Sequence, residues 1–228
     1  MPTPLTPDES EYLEIWRRRP SYFVVSPYKT ATTTVGRALA DLGAGRAVMP
    51  YCAALPRARR DAFARWEARM AGFDDAAAFL ASRGAEVRRR FARVALLMTP
   101  FDIFADAPFG HGQVHPVLIR ALAPRARFIW VDRPLQDWLE SVRHWEETHP
   151  ETYPGCRQWR TRPDTRIAQV TARRDRAWRN FRAAADAFPE DCLELRMEEL
   201  RDHGRLAAFC GVRDPGRPIR PRNVSRRA

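Results

Sequence analysis

The chain has 228 residues, 45% of them hydrophobic and 29% charged, a balance that suits one folded domain over 1–228 and excludes a disordered chain. No apolar run approaches the roughly 20 residues that span a bilayer, and the opening Met1-Pro2-Thr3-Pro4-Leu5 lacks the charged and apolar parts of a signal peptide, so a cytoplasmic protein is expected. A net charge of +11 favours anionic partners, but the arginines are scattered without a basic stripe interleaved with aromatics, and nucleic acid is not expected to be one of them.

Residues 1–20 read as a polar lead-in with a short amphipathic turn around Tyr12, Ile15 and Trp16. Tyr22-Phe23-Val24-Val25 is expected as a buried strand. After a loop, Val35, Leu39 and Leu42 recur at helical spacing and Gly43 stops the run. Ala47-Val48-Met49 reads as a second short strand. Residues 56–92 read as helical throughout, with Phe63, Trp66, Met70 and Phe73 on one face and Asp74 capping a further helix that carries Phe79 and Leu80. Val94 to Met98 fits either a strand or a helix, and 101–115 reads as an irregular loop.

Val117 to Leu122 predicts a brief helix and Phe128-Ile129-Trp130-Val131 a second clear strand. Asp132-Arg133-Pro134 leads into a helix marked by Leu135, Trp138, Leu139, Val142 and Trp145. Residues 157–163 read as a surface loop, and 164–187 as a long helix using Ile167, Val170, Trp178 and Phe181. Cys192 to Leu195 is expected as a strand, 198–210 as the last helix and 214–228 as a basic tail. Strands alternating with helices predict an α/β fold of three layers, α/β/α, around a central parallel sheet. Cys52, Cys156, Cys192 and Cys210 include no C-x-x-C pair, so neither zinc nor a disulfide framework is expected, and Cys192 and Cys210 read as buried thiols.

Of the 39 basic residues a single one, Lys29, is lysine. A chain so biased to arginine keeps a lysine where a compact ammonium is needed and a planar guanidinium does not fit. Lys29 lies between the first strand and the helix after it, where backbone N–H groups gather at a helix start and favour an anion. Thr30, Ala31, Thr32, Thr33 and Thr34 follow, four hydroxyls in a small-residue loop. Phe23 and Tyr28 stand where a Walker A loop would carry glycines, which counts against a nucleoside-triphosphate grip. Arg133, just past the second clear strand, and Ser141, two helical turns on, can bracket one phosphate.

These residues together resemble the sulfotransferase superfamily, whose members move a sulfuryl group from 3′-phosphoadenosine 5′-phosphosulfate (PAPS). Its 5′-phosphosulfate loop, P-K-[ST]-G-T-T, is similar to Pro27-Tyr28-Lys29-Thr30-Ala31-Thr32-Thr33. Its 3′-phosphate motif, R-[DN]-P-x-x-W-x-x-S, is matched at Arg133, Trp138 and Ser141. The closing Phe209-Cys210-Gly211-Val212 and Pro221-Arg222-Asn223-Val224 also resemble bacterial members. Tyr28 is an insertion, Ala31 replaces the usual glycine, and Pro134 follows the arginine directly.

The resemblance implies a nucleoside-triphosphate-hydrolase-like P-loop fold. It also implies that Lys29 binds the bridging oxygen of PAPS, that residues 30–34 hold the phosphosulfate, and that Arg133 and Ser141 hold the 3′-phosphate, without a metal. Many relatives place a histidine base in a T-H-x-P loop. The corresponding Ala105-Asp106-Ala107-Pro108 makes Asp106 the first candidate base, with His111 and then His115 as rivals. A His111/His115 metal pair would need a continuous helix, which Gly110, Gly112 and Pro116 oppose, so no metal is expected. His144, His149 and His203 read as surface residues.

The acceptor is a hydroxyl or amine on a small molecule, glycan or lipid, its pocket drawn from the 50–92 segment, the 101–116 loop and 146–163, with Tyr51, Trp66, Phe101, Phe104, Tyr153 and Trp159 as candidates. The rival readings are a P-loop kinase or NTPase with Asp132 as its Walker B acid, and a non-catalytic sulfotransferase-like or nucleic-acid-binding module.

Overall fold

The computed structural model describes residues 4–50 and 57–220; Tyr51, Cys52 and the end of the tail, with Pro221 to Val224, lie outside them. Four strands, β1 (Ser21–Val24), β2 (Ile103–Phe104), β3 (Ala126–Asp132) and β4 (Cys192–Arg196), form a parallel sheet in the order β2-β1-β3-β4. The helices, in chain order, are α1 (Pro7–Arg17), α2 (Thr32–Asp41), α3 (Arg57–Met70), α4 (Ala76–Arg90), α5 (Ala92–Met98), α6 (Pro116–Leu122), α7 (Leu135–Thr148), α8 (Gln158–Thr161), α9 (Pro163–Ala187) and α10 (Gly204–Cys210).

Successive side chains of a strand point to opposite faces, so each strand feeds two cores. Tyr22, Val24, Ile103, Ile129, Val131, Leu193 and Leu195 pack under α2 and α10. Phe23, Val25, Phe104, Phe128 and Trp130 pack on the other face with residues of α1, α3–α6 and α9. The three-layer α/β/α reading therefore holds. Helix and sheet approach closely at Gly36 of α2, where a Cβ would lie 2.5 Å from that of Ala105. A smaller cluster of Trp138, Val142, Trp159 and Val170 joins α7, α8 and α9 and takes in Tyr28.

Several elements differ from the sequence expectation. The lead-in is a full helix whose Thr6 and Glu9 form a reciprocal capping box. It buries only Leu13 and Trp16, too few apolar positions to show a period. Ala47 to Met49 is not a strand; Val48 makes one isolated bridge to Ile103. The 56–92 segment breaks after Met70, and Asp75 rather than Asp74 caps α4, accepting from the Ala78 N–H. Val94 to Met98 is helical, and the 101–115 loop contains β2. Residues 157–163 hold α8, folded because Trp159 is buried.

The last predicted helix splits at Asp202 into a 3₁₀ segment, Met197–Arg201, and α10. His203 is not at the surface but buried at that break, beside the carbonyl of Arg217. Ile167, expected in the core, is exposed, and Cys192 and Cys210 are half-buried. Among the described residues no helix is long and apolar enough to cross a membrane.

Candidate active site

Three segments leave the carboxyl edge of the sheet side by side, because β1 pairs in parallel with both β2 and β3. β1 leads into the Lys29 loop, β2 into 105–115 and β3 into Arg133. This is the edge at which doubly wound sheets bind ligands.

Lys29 and Ala31 both take left-handed backbone, with φ of +68° and +63°. Ala31 is the N-cap of α2 and offers no side-chain acceptor, so the first N–H groups of that helix are uncapped by any side chain. The family glycine that Ala31 replaces is thereby explained, since glycine adopts this backbone without strain. Thr30 is buried, its hydroxyl turned back to the Pro27 carbonyl at 2.7 Å and to Ser26 Oγ at 2.9 Å. Thr32 is buried with Oγ1 3.2 Å from His111 Nε2; Thr34 is buried and Thr33 exposed.

Arg133 Nη1 donates to the Lys29 carbonyl at 2.8 Å, so the two sequence motifs, a hundred positions apart, meet. Trp138 Nε1 donates to the Tyr28 carbonyl at 2.9 Å, and Lys29 Nζ sits 4.0 Å from the centroid of the Trp145 ring. Trp138, Ser141 and Trp145 are spaced to share one face of α7. Half-buried Ser141 therefore lies between two residues that touch the loop. Burial first, and then the Arg133 charge, lowers the Lys29 pKa from the ordinary lysine value.

Asp106 and His111 come together, Oδ1 to Nε2 at 3.5 Å. The loop is pinned to β1 by the His111 N–H, which donates to the Val24 carbonyl at 3.1 Å. The next residue, Gly112, has a φ of +63°, and a Cβ there would lie 2.7 Å from the Val25 carbonyl oxygen, so glycine is required. Burial lowers the His111 pKa, opposed by the Asp106 carboxylate. His115 does not join this group. It caps α6 by accepting from the Val117 N–H, and burial takes its pKa down to about 4.

The family model described as "Sulfotransferase domain" matches residues 22–205, from β1 to the start of α10. The chain belongs to the sulfotransferase family. No curated protein and no solved structure matches it.

In this sulfotransferase the inserted Tyr28 is held from below. Its hydroxyl donates to Glu146 Oε1 at 2.5 Å, and burial followed by that hydrogen bond raises its pKa, keeping the phenol protonated. Fully buried Glu146 also accepts from Trp159 Nε1 at 2.8 Å and pairs with buried Arg166, whose Nη2 lies 2.6 Å from Oε1. Arg174 Nη2 donates to Asp132 Oδ1 at 3.0 Å and to the Arg133 carbonyl at 2.8 Å.

None of Tyr28, Trp145, Glu146, Arg166 and Arg174 was singled out as a site residue from the sequence. Trp145, a heptad after Trp138, was the one with a readable signal. Of the acceptor-pocket candidates, Tyr153 stacks on Tyr28 with centroids 5.8 Å apart, whereas Phe104 and Trp159 are core residues.

Proposed function

We propose that this sulfotransferase uses PAPS as its donor and sulfates a hydroxyl or an amine, releasing adenosine 3′,5′-bisphosphate. The hydrogen bond from Arg133 to the Lys29 carbonyl supports the reading most, because it joins the two segments that resemble the family's phosphate-binding motifs. The donor set suits a nucleotide with two separated anionic groups. The uncapped start of α2, the Thr33 hydroxyl and Lys29 would take one anionic group, and Arg133 and Ser141 the other. The carboxylate at this edge, Asp132, is paired with Arg174.

PAPS supplies an activated sulfuryl group. Residues 30–34 hold its phosphosulfate through backbone N–H groups and the Thr32 and Thr33 hydroxyls, while buried Thr30 braces the loop. Lys29 meets the charge that develops on the departing phosphate oxygen, a preorganised cation in a half-buried setting. Arg133 and Ser141 hold the 3′-phosphate. The acceptor's proton passes to the Asp106–His111 pair. His111 is the atom-level acceptor in this account, because burial keeps its imidazole neutral, with Asp106 beside it to stabilise the cation formed.

The kinase reading is weakened by two observations. The hydroxyl of Thr30, which a P-loop would turn to magnesium, faces its own loop, and Asp132 is tied to an arginine. A thermal-shift comparison tests the choice. Adenosine 3′,5′-bisphosphate in EDTA, at about 100-fold excess over its Kd, is expected to stabilise by about 2.7 kcal/mol, roughly 5–10 °C. Mg-ATP is expected to do far less; stabilisation by Mg-ATP alone would overturn the assignment.

A further inference from the structure

Helices α3 and α4 line an open pocket of ≈ 460 Å³, a volume typical of small-molecule sites. Four arginines line it, Arg65 and Arg69 from α3 and Arg89 and Arg90 from α4, with Trp66 and Glu86 between them. Some arginines elsewhere in the chain share a carboxylate two to one: Arg120 and Arg127 share Asp191, and Arg143 and Arg160 share Glu147. Among the described residues no carboxylate pairs with any of the four pocket arginines. Glu86 is engaged by Arg83, outside the pocket, at 3.3 Å.

The position of Arg89 and Arg90 in the last turn of α4 suits the helix dipole, which accounts for two of the charges. The same dipole argument covers Arg69, in the last turn of α3, but not Arg65, one turn earlier on that helix and lining the same cleft. Arg69 is held in place, its guanidinium carbon 4.9 Å from the Trp66 ring centroid. Four like charges gathered in one cleft repel one another until an anion enters. Guanidinium groups bind phosphate, sulfate and carboxylate alike as planar two-point donors.

We propose that the α3–α4 cleft is a second ligand site, for a small polyanion carrying three or more clustered phosphate, sulfate or carboxylate groups. The number follows from four guanidinium groups in the pocket, whose one lining carboxylate, Glu86, is already engaged by Arg83. The site is independent of the PAPS reading, since none of its residues belongs to the Lys29, Asp106 or Arg133 segments.

Calorimetric titration with three probes, tripolyphosphate, citrate and a trisulfated disaccharide, tests the proposal and separates the possible sources of the charge. The wild-type chain is expected to bind at least one probe saturably, the best of the three naming the anionic group preferred. The double variant R65Q/R89Q, changed at exposed positions, is expected to weaken that binding tenfold or more while retaining the wild-type melting temperature and affinity for adenosine 3′,5′-bisphosphate. K29A is expected to leave probe binding unchanged. The proposal fails if no probe binds saturably or if R65Q/R89Q leaves the Kd unmoved. It also fails if K29A alone abolishes binding, which would place the probe in the transferase cleft.

Discussion

Ala31 holds its positive φ without the glycine that relatives carry, and what it loses in strain it regains in the unfolded chain. Left-handed backbone costs a residue with a Cβ about 1–2 kcal/mol, whereas glycine costs about 0.4–1 kcal/mol in unfolded-state entropy. Ala31→Gly is therefore expected to change stability by no more than about 1 kcal/mol, while Ala31→Val, β-branched at a φ of +63°, destabilises clearly. Urea melts of the two variants check the order, and a valine variant as stable as the glycine one would contradict the backbone assignment.

The second residue-scale expectation concerns pH. Burial lowers the His111 pKa from its ordinary 6.5, so the ring is neutral at pH 7 and becomes charged only below that value. A base must be neutral to act, so turnover is expected to fall on acidification through a pKa below 6.5, and His111→Asn removes that limb. A rate profile whose acid limb lies above 6.5, or persists in the variant, would show that another group takes the proton.

At the scale of elements, α7 does more for the cleft than its motif residues suggest. From this one helix Trp138 holds the Tyr28 carbonyl, Trp145 lies under Lys29, and Glu146 collects bonds from Tyr28, Trp159 and Arg166. Removing one partner of a buried ion pair leaves the other charge uncompensated, which costs about 3–5 kcal/mol. Glu146→Gln is expected to lose that much in urea unfolding and to weaken donor binding through Tyr28. A loss near that of a surface salt bridge, below about 1 kcal/mol, would mean that Arg166 finds other partners.

None of this network could be read from the sequence, because Glu146 and Arg166 lie at charged positions outside the apolar stripes of α7 and α9, and only the fold brings them together with Trp159 of α8. The helices that were legible, α2, α7 and α9, have long apolar stripes or clear stop signals. Those that were missed, α1 and α8, bury too few large side chains to leave a period.

Across the whole molecule, the strands β1 and β3 were legible as dense apolar runs, because strands of a parallel sheet buried on both faces leave no polar alternation, whereas edge strand β4 was legible from alternating Leu193 and Leu195, with Glu194 exposed between them. β2 was not, being two residues long and shared with a glycine- and proline-rich loop. Among the candidate site residues, Arg133 reaches the Lys29 carbonyl, and His111 lies against Thr32 and Asp106. His115 turned out to be a helix cap, a role that depends on where α6 begins rather than on local chemistry.

The account as a whole rests on one nucleotide reaching from the Lys29 loop to Arg133. The direct measurement is the affinity of adenosine 3′,5′-bisphosphate against that of 5′-AMP, by calorimetry, in the wild type and in Arg133→Gln. A charge-assisted hydrogen bond to the 3′-phosphate is worth about 1.5–3 kcal/mol, or about 10- to 100-fold. The wild type is expected to prefer the bisphosphate by that factor, and the variant to lose the preference while keeping its affinity for 5′-AMP. Equal affinities in the wild type, or a preference untouched by the substitution, would contradict the shared cleft.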